Sequence, residues 1–73
     1  MPIIIYTTHA RERMALRGIT EEMVAETLVD PDQTGTGYQA RHLAYRRYRN
    51  GRIKVVYVDK GHEIIVVTVL WER

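Results

Sequence analysis

AYRRYRNGRIKVVYV, residues 44–58, is the stretch whose reading decides the fold. Strand-forming residues run through both halves, and Asn50-Gly51 divides them. Asn-Gly between two such segments is the strongest short-range hairpin signal, because both residues tolerate the positive φ of a two-residue type I′ turn. Lys60-Gly61 marks a second tight turn. The reading is three antiparallel strands, over roughly Tyr38–Arg49, Arg52–Asp59 and His62–Trp71.

A two-residue turn at Asn50-Gly51 sets Arg49 opposite Arg52, Tyr48 opposite Ile53, Arg47 opposite Lys54 and Arg46 opposite Val55. With a matching second turn, one sheet face carries Ala44, Arg46, Tyr48, Ile53, Val55, Tyr57, Ile64, Val66, Thr68 and Leu70. That face is mostly apolar and is assigned to the helices. On the other face, Leu43, Tyr45, Val56, Val58, Ile65 and Val67 occupy one end. Arg47, Arg49, Arg52 and Lys54 occupy the other, close to Val69 and Trp71. Like charges set opposite one another destabilise a sheet by up to about 1 kcal/mol per pair, and an anion such as phosphate relieves the repulsion.

Upstream of the hairpins the pattern is helical. Ile3-Ile4-Ile5-Tyr6 reads as a short strand, and Thr7 or Thr8 caps a helix that runs to about Arg17 and ends at Gly18. Ala10 and Met14 mark its apolar stripe, with His9, Arg13 and Arg17 in the same broad arc. Thr20 caps a second helix, Glu21 and Glu22 suit the positive end of its dipole, and Ile19 and Val24 stand at staple spacing. Met23, Val24, Thr27 and Leu28 face inward, and Asp30-Pro31 stops the helix. Asp32 to Gly37 is polar with two glycines and reads as a loop. The fold class is α+β, in the order β-α-α-β-β-β, with two helices on one face of an antiparallel sheet and a single domain over 1–73.

Composition narrows the chemistry. A chain of 73 residues builds a small core, and without cysteine it has neither disulfides nor thiolate metal sites. Self-association is the remaining route to extra stability, and a homodimer or partner-docking surface centred on Leu43, Val56, Ile65 and Val67 is expected. No apolar run approaches the roughly 20 residues of a membrane span, and the opening Met-Pro-Ile-Ile-Ile lacks the basic start of a signal peptide. A cytoplasmic protein is the expectation. The net charge of +2 conceals a segregation. Residues 20–32 hold five acids and no Lys or Arg, whereas 38–54 hold six bases and no acid. The basic segment, interleaved with Tyr45, Tyr48 and Tyr57, points to RNA or another polyanion.

The motif His9-Ala10-Arg11-Glu12-Arg13-Met14, followed by Arg17-Gly18-Ile19-Thr20 and Asp30-Pro31, resembles the opening of a bacterial family known as domain of unknown function 4258. Arg52-Ile53-Lys54-Val55-Val56-Tyr57 and Ile64-Ile65-Val66-Val67-Thr68-Val69 extend the resemblance over nearly the whole chain. That family is similar in element order to the RelE/ParE-like toxins, which include ribosome-dependent ribonucleases. The resemblance implies a metal-independent endoribonuclease with a helix histidine, a basic sheet residue and a late-strand hydroxyl. The matching positions are His9, Arg46 or Arg47, and Thr68. It also implies an antitoxin-like protein partner.

Each residue has a plainer role beside the catalytic one. His9 suits proton transfer at neutral pH, as histidine generally does, yet a histidine at a helix start also bonds to backbone or to a neighbouring arginine. Arg13 and Arg17 match phosphate oxygens, yet equally pack their stems on Tyr or Trp71. Thr68 orients a substrate or merely fills a strand. Arg13, Arg47, Arg49, Arg52 and Lys54 form the expected nucleic-acid contact set, or a solvated hairpin tip that resists edge aggregation. A non-catalytic binding module using the same cations is the alternative to a ribonuclease. His9, His42 and His62 are too widely spaced for a metal site, and no cofactor motif is present, so no cofactor is expected.

Overall fold

The computed structural model describes residues 2–72. The elements are β1 (Ile3–Tyr6), α1 (Thr8–Arg17), α2 (Glu21–Val29), β2 (Gln33–Thr36), β3 (His42–Tyr48), β4 (Gly51–Asp59) and β5 (Glu63–Glu72). They form one five-stranded sheet in the order β1-β5-β4-β3-β2. It is a mixed sheet, because β1 runs parallel to β5 while every other pairing is antiparallel. The expected all-antiparallel sheet is corrected on this point. After β1 the chain passes through α1 and α2, so its return to the β1 edge as β5 has no hairpin constraint on direction.

Both helices are specified locally, as the sequence predicts. The Thr7 side chain accepts from the Ala10 amide, and Gly18 closes α1 in the left-handed region at φ 67°. Glycine takes that conformation without the Cβ clash other residues meet. Thr20 caps α2 by accepting from the Met23 amide, and Glu21 and Glu22 fill its first turn. Both helices cover the same sheet face, α1 over β5 and α2 over β3 and β4. The core between the layers is Ala10, Met14, Ile19, Val24, Ile53, Val55, Val66 and Val69.

The segment predicted as a loop over 32–37 contains β2. Its residues Gln33-Thr34-Gly35-Thr36 pair with Tyr45, Ala44, Leu43 and His42. An edge strand with both faces largely wet carries no apolar alternation. Tyr38–Ala40, read from sequence as the start of a strand, is instead a tight turn. Gln39 and Ala40 both have positive φ there, 57° and 61°.

The central hairpin forms in a different register from the predicted one. Tyr48 pairs with Gly51, Arg47 with Arg52, Arg46 with Ile53 and Tyr45 with Lys54, so Arg49-Asn50 makes the turn. Gly51 is needed for a close approach: a Cβ there would lie 3.1 Å from the Glu72 carbonyl oxygen, and φ is 144°. The slide moves each β4 residue by two positions along β3, so every side chain keeps its face. A bulge in β5 does change faces. Tyr57 pairs with Val66 but Val56 pairs with Thr68, leaving Val67 as the extra residue. Beyond it, Val69 and Trp71 turn toward the helices, while Thr68 and Leu70 turn to the open face, the reverse of the prediction.

Past the end of β1, side chains of the first helix and its cap cover the edge of β5. The Thr7 hydroxyl donates to the Val67 carbonyl at 3.1 Å and Arg17 Nη1 donates to the Val69 carbonyl at 2.9 Å. Trp71 Nε1 donates back to the Arg17 carbonyl at 2.9 Å. At the opposite edge, Asp32 Oδ2 accepts from the Arg47 amide at 2.6 Å, just where β2 stops pairing with β3. Polar side chains thus occupy the stretches of β5 and β3 that β1 and β2 leave unpaired.

Candidate nucleic-acid interface

The helices leave the other face of the sheet uncovered. Residues paired across a ladder share a face, so the register fixes what this face displays. Tyr45, Arg47, Arg52, Lys54, Leu70 and Glu72 lie at its β3–β4 turn end, and Leu43, Val56, Val58, Ile65 and Ile5 lie at its other end. Ile3 and Ile5 are exposed there.

At the polar end, β3 and β4 bring Arg47 directly opposite Arg52. Arg52 is held down. Its guanidinium lies 4.4 Å over the Tyr45 ring, Nη1 donates to Gln33 Oε1 at 3.0 Å, and Nη2 meets Glu72 Oε1 at 2.6 Å. Lys54 Nζ shares Glu72 at 3.8 Å and lies 5.9 Å from the same ring. Two cations therefore rest on one tyrosine and divide one carboxylate. Arg47 and Arg49 are exposed beside this plate and form no ion pair among the described residues. The sequence places no acid near this cluster. The structure supplies Glu72 from the last strand and Asp32 from the start of β2, which corrects that reading.

Arg46 belongs elsewhere. It faces the helices, where Nη1 donates to the Asp30 carbonyl at 2.7 Å and pairs with Asp30 Oδ2 at 3.1 Å. A cation bonded to the last carbonyls of α2 also complements the helix dipole. Beside it the Tyr48 hydroxyl donates to Glu26 Oε1 at 2.7 Å. Burial, reinforced by the Glu26 carboxylate, pushes the Tyr48 phenol above its ordinary pKa. Glu22, Ala25, Glu26, Val29, Asp30 and Arg46 line an open groove of about 370 Å³ along α2. Glu26, Asp30 and Arg46 Nη1 tie α2 to β3 there, while Arg46 Nε is buried with no hydrogen-bond partner among the described residues.

The three residues matched to ribonuclease chemistry are not gathered. His9 is exposed in the first turn of α1, over the β5 side of the sheet. Arg46 lies under the end of α2, at β3. Thr68 is on the uncovered face opposite Val56, diagonal to Lys54. The structure therefore joins Thr68 to the basic plate and separates it from His9 and Arg46. Arg13 is half-buried on α1, away from the β3–β4 cations. Sequence reasoning missed Gln33 and Glu72. Neither has a local signal, because both are defined by strand pairing across the sheet.

Among the described residues no group of three His, Asp or Glu could hold a metal ion, and no helix is long and apolar enough to cross a membrane. No curated protein and no solved structure is significantly similar to the chain. The model of one family, described as a domain of unknown function, matches residues 6–71, from the last residue of β1 almost to the end of β5. With this match spanning both helices and the basic hairpin, the chain belongs to the DUF4258 family.

Proposed function

We propose that this domain binds RNA as a polyanion, on the uncovered sheet face at the β3–β4 turn. The observation that carries the reading is the placement of Arg47 opposite Arg52, with Lys54 alongside and Arg49 at the turn. Among the described residues four cations meet two carboxylates there, Glu72 and Asp32, and Asp32 is engaged by the Arg47 amide. The charge open to solvent is that of Arg47 and Arg49, exposed beside the partly buried Arg52 and Lys54, where phosphates can reach it. Binding is favoured over cleavage because Thr68 and Arg47 share the uncovered face, whereas His9 lies on α1 and Arg46 is bonded to the end of α2, both on the helix side of the sheet. General acid–base catalysis needs its groups within hydrogen-bond reach of one substrate.

The test is titration of a labelled RNA oligonucleotide with the pure protein, followed by fluorescence anisotropy and by gel analysis of the same RNA. Saturable binding that weakens with salt, is lost in Arg47→Ala/Arg49→Ala, survives His9→Ala and leaves the RNA intact supports the proposal. Binding indifferent to both salt and the double substitution refutes it. Cleavage that requires His9 would replace it with the ribonuclease reading.

A further inference from the structure

The β2–β3 turn is strained, and an exposed aromatic ring stands beside the strained residues. Gln39 and Ala40 are consecutive non-glycine residues in the left-handed region, at φ 57° and 61°. Side chains with a Cβ rarely adopt that conformation because the Cβ crowds the following carbonyl. Such strain persists only where the surrounding structure enforces it. Here the Gly37 amide donates to the Arg41 carbonyl at 2.7 Å, and the Arg41 amide donates to the Tyr38 carbonyl at 3.2 Å. Those bonds clamp the base of the turn. A Cβ at Gly37 would meet Leu43 Cδ2 at 3.4 Å, so the base of the turn packs on a residue of the uncovered face. Beside the strained pair, Tyr38 is 86% exposed, the most exposed large apolar side chain among the described residues. It contributes nothing to the core.

The turn stands at one end of β3 and the basic plate at the other. Leu43, Tyr45 and Arg47 form one row on the uncovered face between them. From residue 43 to residue 47 the strand spans about 13 Å at ~3.3 Å per residue. That is about four stacked nucleotides at a rise of ~3.4 Å. A strand whose phosphates are held at Arg47 and Arg52 and which runs along this row reaches the level of Leu43, against which the base of the turn packs, about four nucleotides further on. A paired base has both faces buried in the helical stack and cannot use an aromatic ring at a loop tip. An unpaired base can.

We infer that Tyr38 is a stacking platform for an unpaired nucleobase, so the polyanion taken by this face is a single strand and not a duplex. The inference rests on the proposed binding function and narrows its ligand class. Base–aromatic stacking is tolerant of sequence because every base has a π face. The face therefore takes single strands of mixed composition. Both single-stranded RNA and single-stranded DNA offer this chemistry.

The test compares Tyr38→Ala, Tyr38→Phe and Arg47→Ala/Arg49→Ala with the unaltered protein. Each is titrated against a labelled single-stranded RNA 12-mer, the DNA 12-mer of the same sequence, and the RNA annealed to its complement. Tyr38→Ala is expected to weaken single-strand binding about tenfold, within the range found for loss of one stacked base. It leaves duplex affinity unchanged, and Tyr38→Phe retains single-strand affinity. The double arginine substitution weakens all the ligands. Equal affinity of Tyr38→Ala and the unaltered protein for single strands overturns the inference while leaving the binding function in place. Failure of the double substitution to weaken any ligand overturns both, as does absence of binding by the unaltered protein. Tyr38→Trp gives an independent readout, since stacking quenches its fluorescence and an unquenched Trp in the bound state contradicts the inference.

Discussion

Replacing Glu72 with Gln should tighten RNA binding and steepen its salt dependence. Glu72 is the carboxylate shared by Arg52 at 2.6 Å and Lys54 at 3.8 Å. Among the described residues, Arg47, Arg49, Arg52 and Lys54, set against Glu72 and Asp32, leave a local excess of two positive charges. If each excess charge neutralises one phosphate, log K falls with log salt at a slope of about −1.4 for a single strand. Glu72→Gln raises the excess to three and the slope to about −2.1. Between about 50 and 200 mM salt the unaltered protein then loses about sevenfold in affinity and the variant about eighteenfold. The assay is anisotropy of a labelled oligoribonucleotide over that salt range. Glutamine keeps the hydrogen-bond acceptor for Arg52, so the sheet end should remain ordered. An unchanged slope, or weaker binding at the lowest salt, would refute the assignment of this end of the sheet to phosphate.

Other consequences concern the fold that presents the face. Arg46→Met should destabilise the domain by about 1 kcal/mol through loss of its bonds to the end of α2, yet leave RNA affinity unaltered. Urea unfolding and anisotropy on the same sample check both parts. Thr7→Ala should cost about 2 kcal/mol and Thr20→Ala about 1 kcal/mol, because Thr7 both caps α1 and donates to the Val67 carbonyl. Equal losses by chemical denaturation would contradict the bridging role of Thr7. Burial raises the phenols of Tyr6, Tyr48 and Tyr57 above the ordinary value, so above pH about 10 the unfolded chain ionises first. The unfolded state then binds fewer protons than the folded one, and stability falls as pH rises from about 10 through the folded-state values. Thermal melts at pH 8 to 11 should show this decline, and a flat profile would contradict it.

The helices and the sheet faces around the central hairpin are legible in the sequence because their signals are local. Thr7, Gly18 and Thr20 act on the backbone within one turn of themselves. The hairpin register differs from the predicted one, yet Ala44, Arg46, Ile53 and Val55 keep their assigned face because a slide of two residues preserves alternation. What is not legible depends on contacts between distant segments. β2 is polar because it is an edge strand, and nothing in Gln33-Thr34-Gly35-Thr36 distinguishes it from a loop. The bulge at Val67 lies in a β-branched run, without the glycine that often marks such a site, and it exchanges Thr68 and Leu70 with Val69 and Trp71. For the candidate site, the concentration of Arg and Lys in 38–54 is visible from composition. The removal of Arg46 by Asp30 and the arrival of Glu72 at Arg52 are set by tertiary pairing.

The most direct test of the central claim is a heteronuclear NMR titration of labelled protein with a single-stranded oligoribonucleotide. Perturbed resonances should cluster at Tyr45, Arg47, Arg49, Arg52 and Lys54 and extend along Leu43 to Tyr38, leaving His9, Glu22 and Glu26 unmoved. Shifts concentrated on the two helices, or none at saturating RNA, would contradict the account.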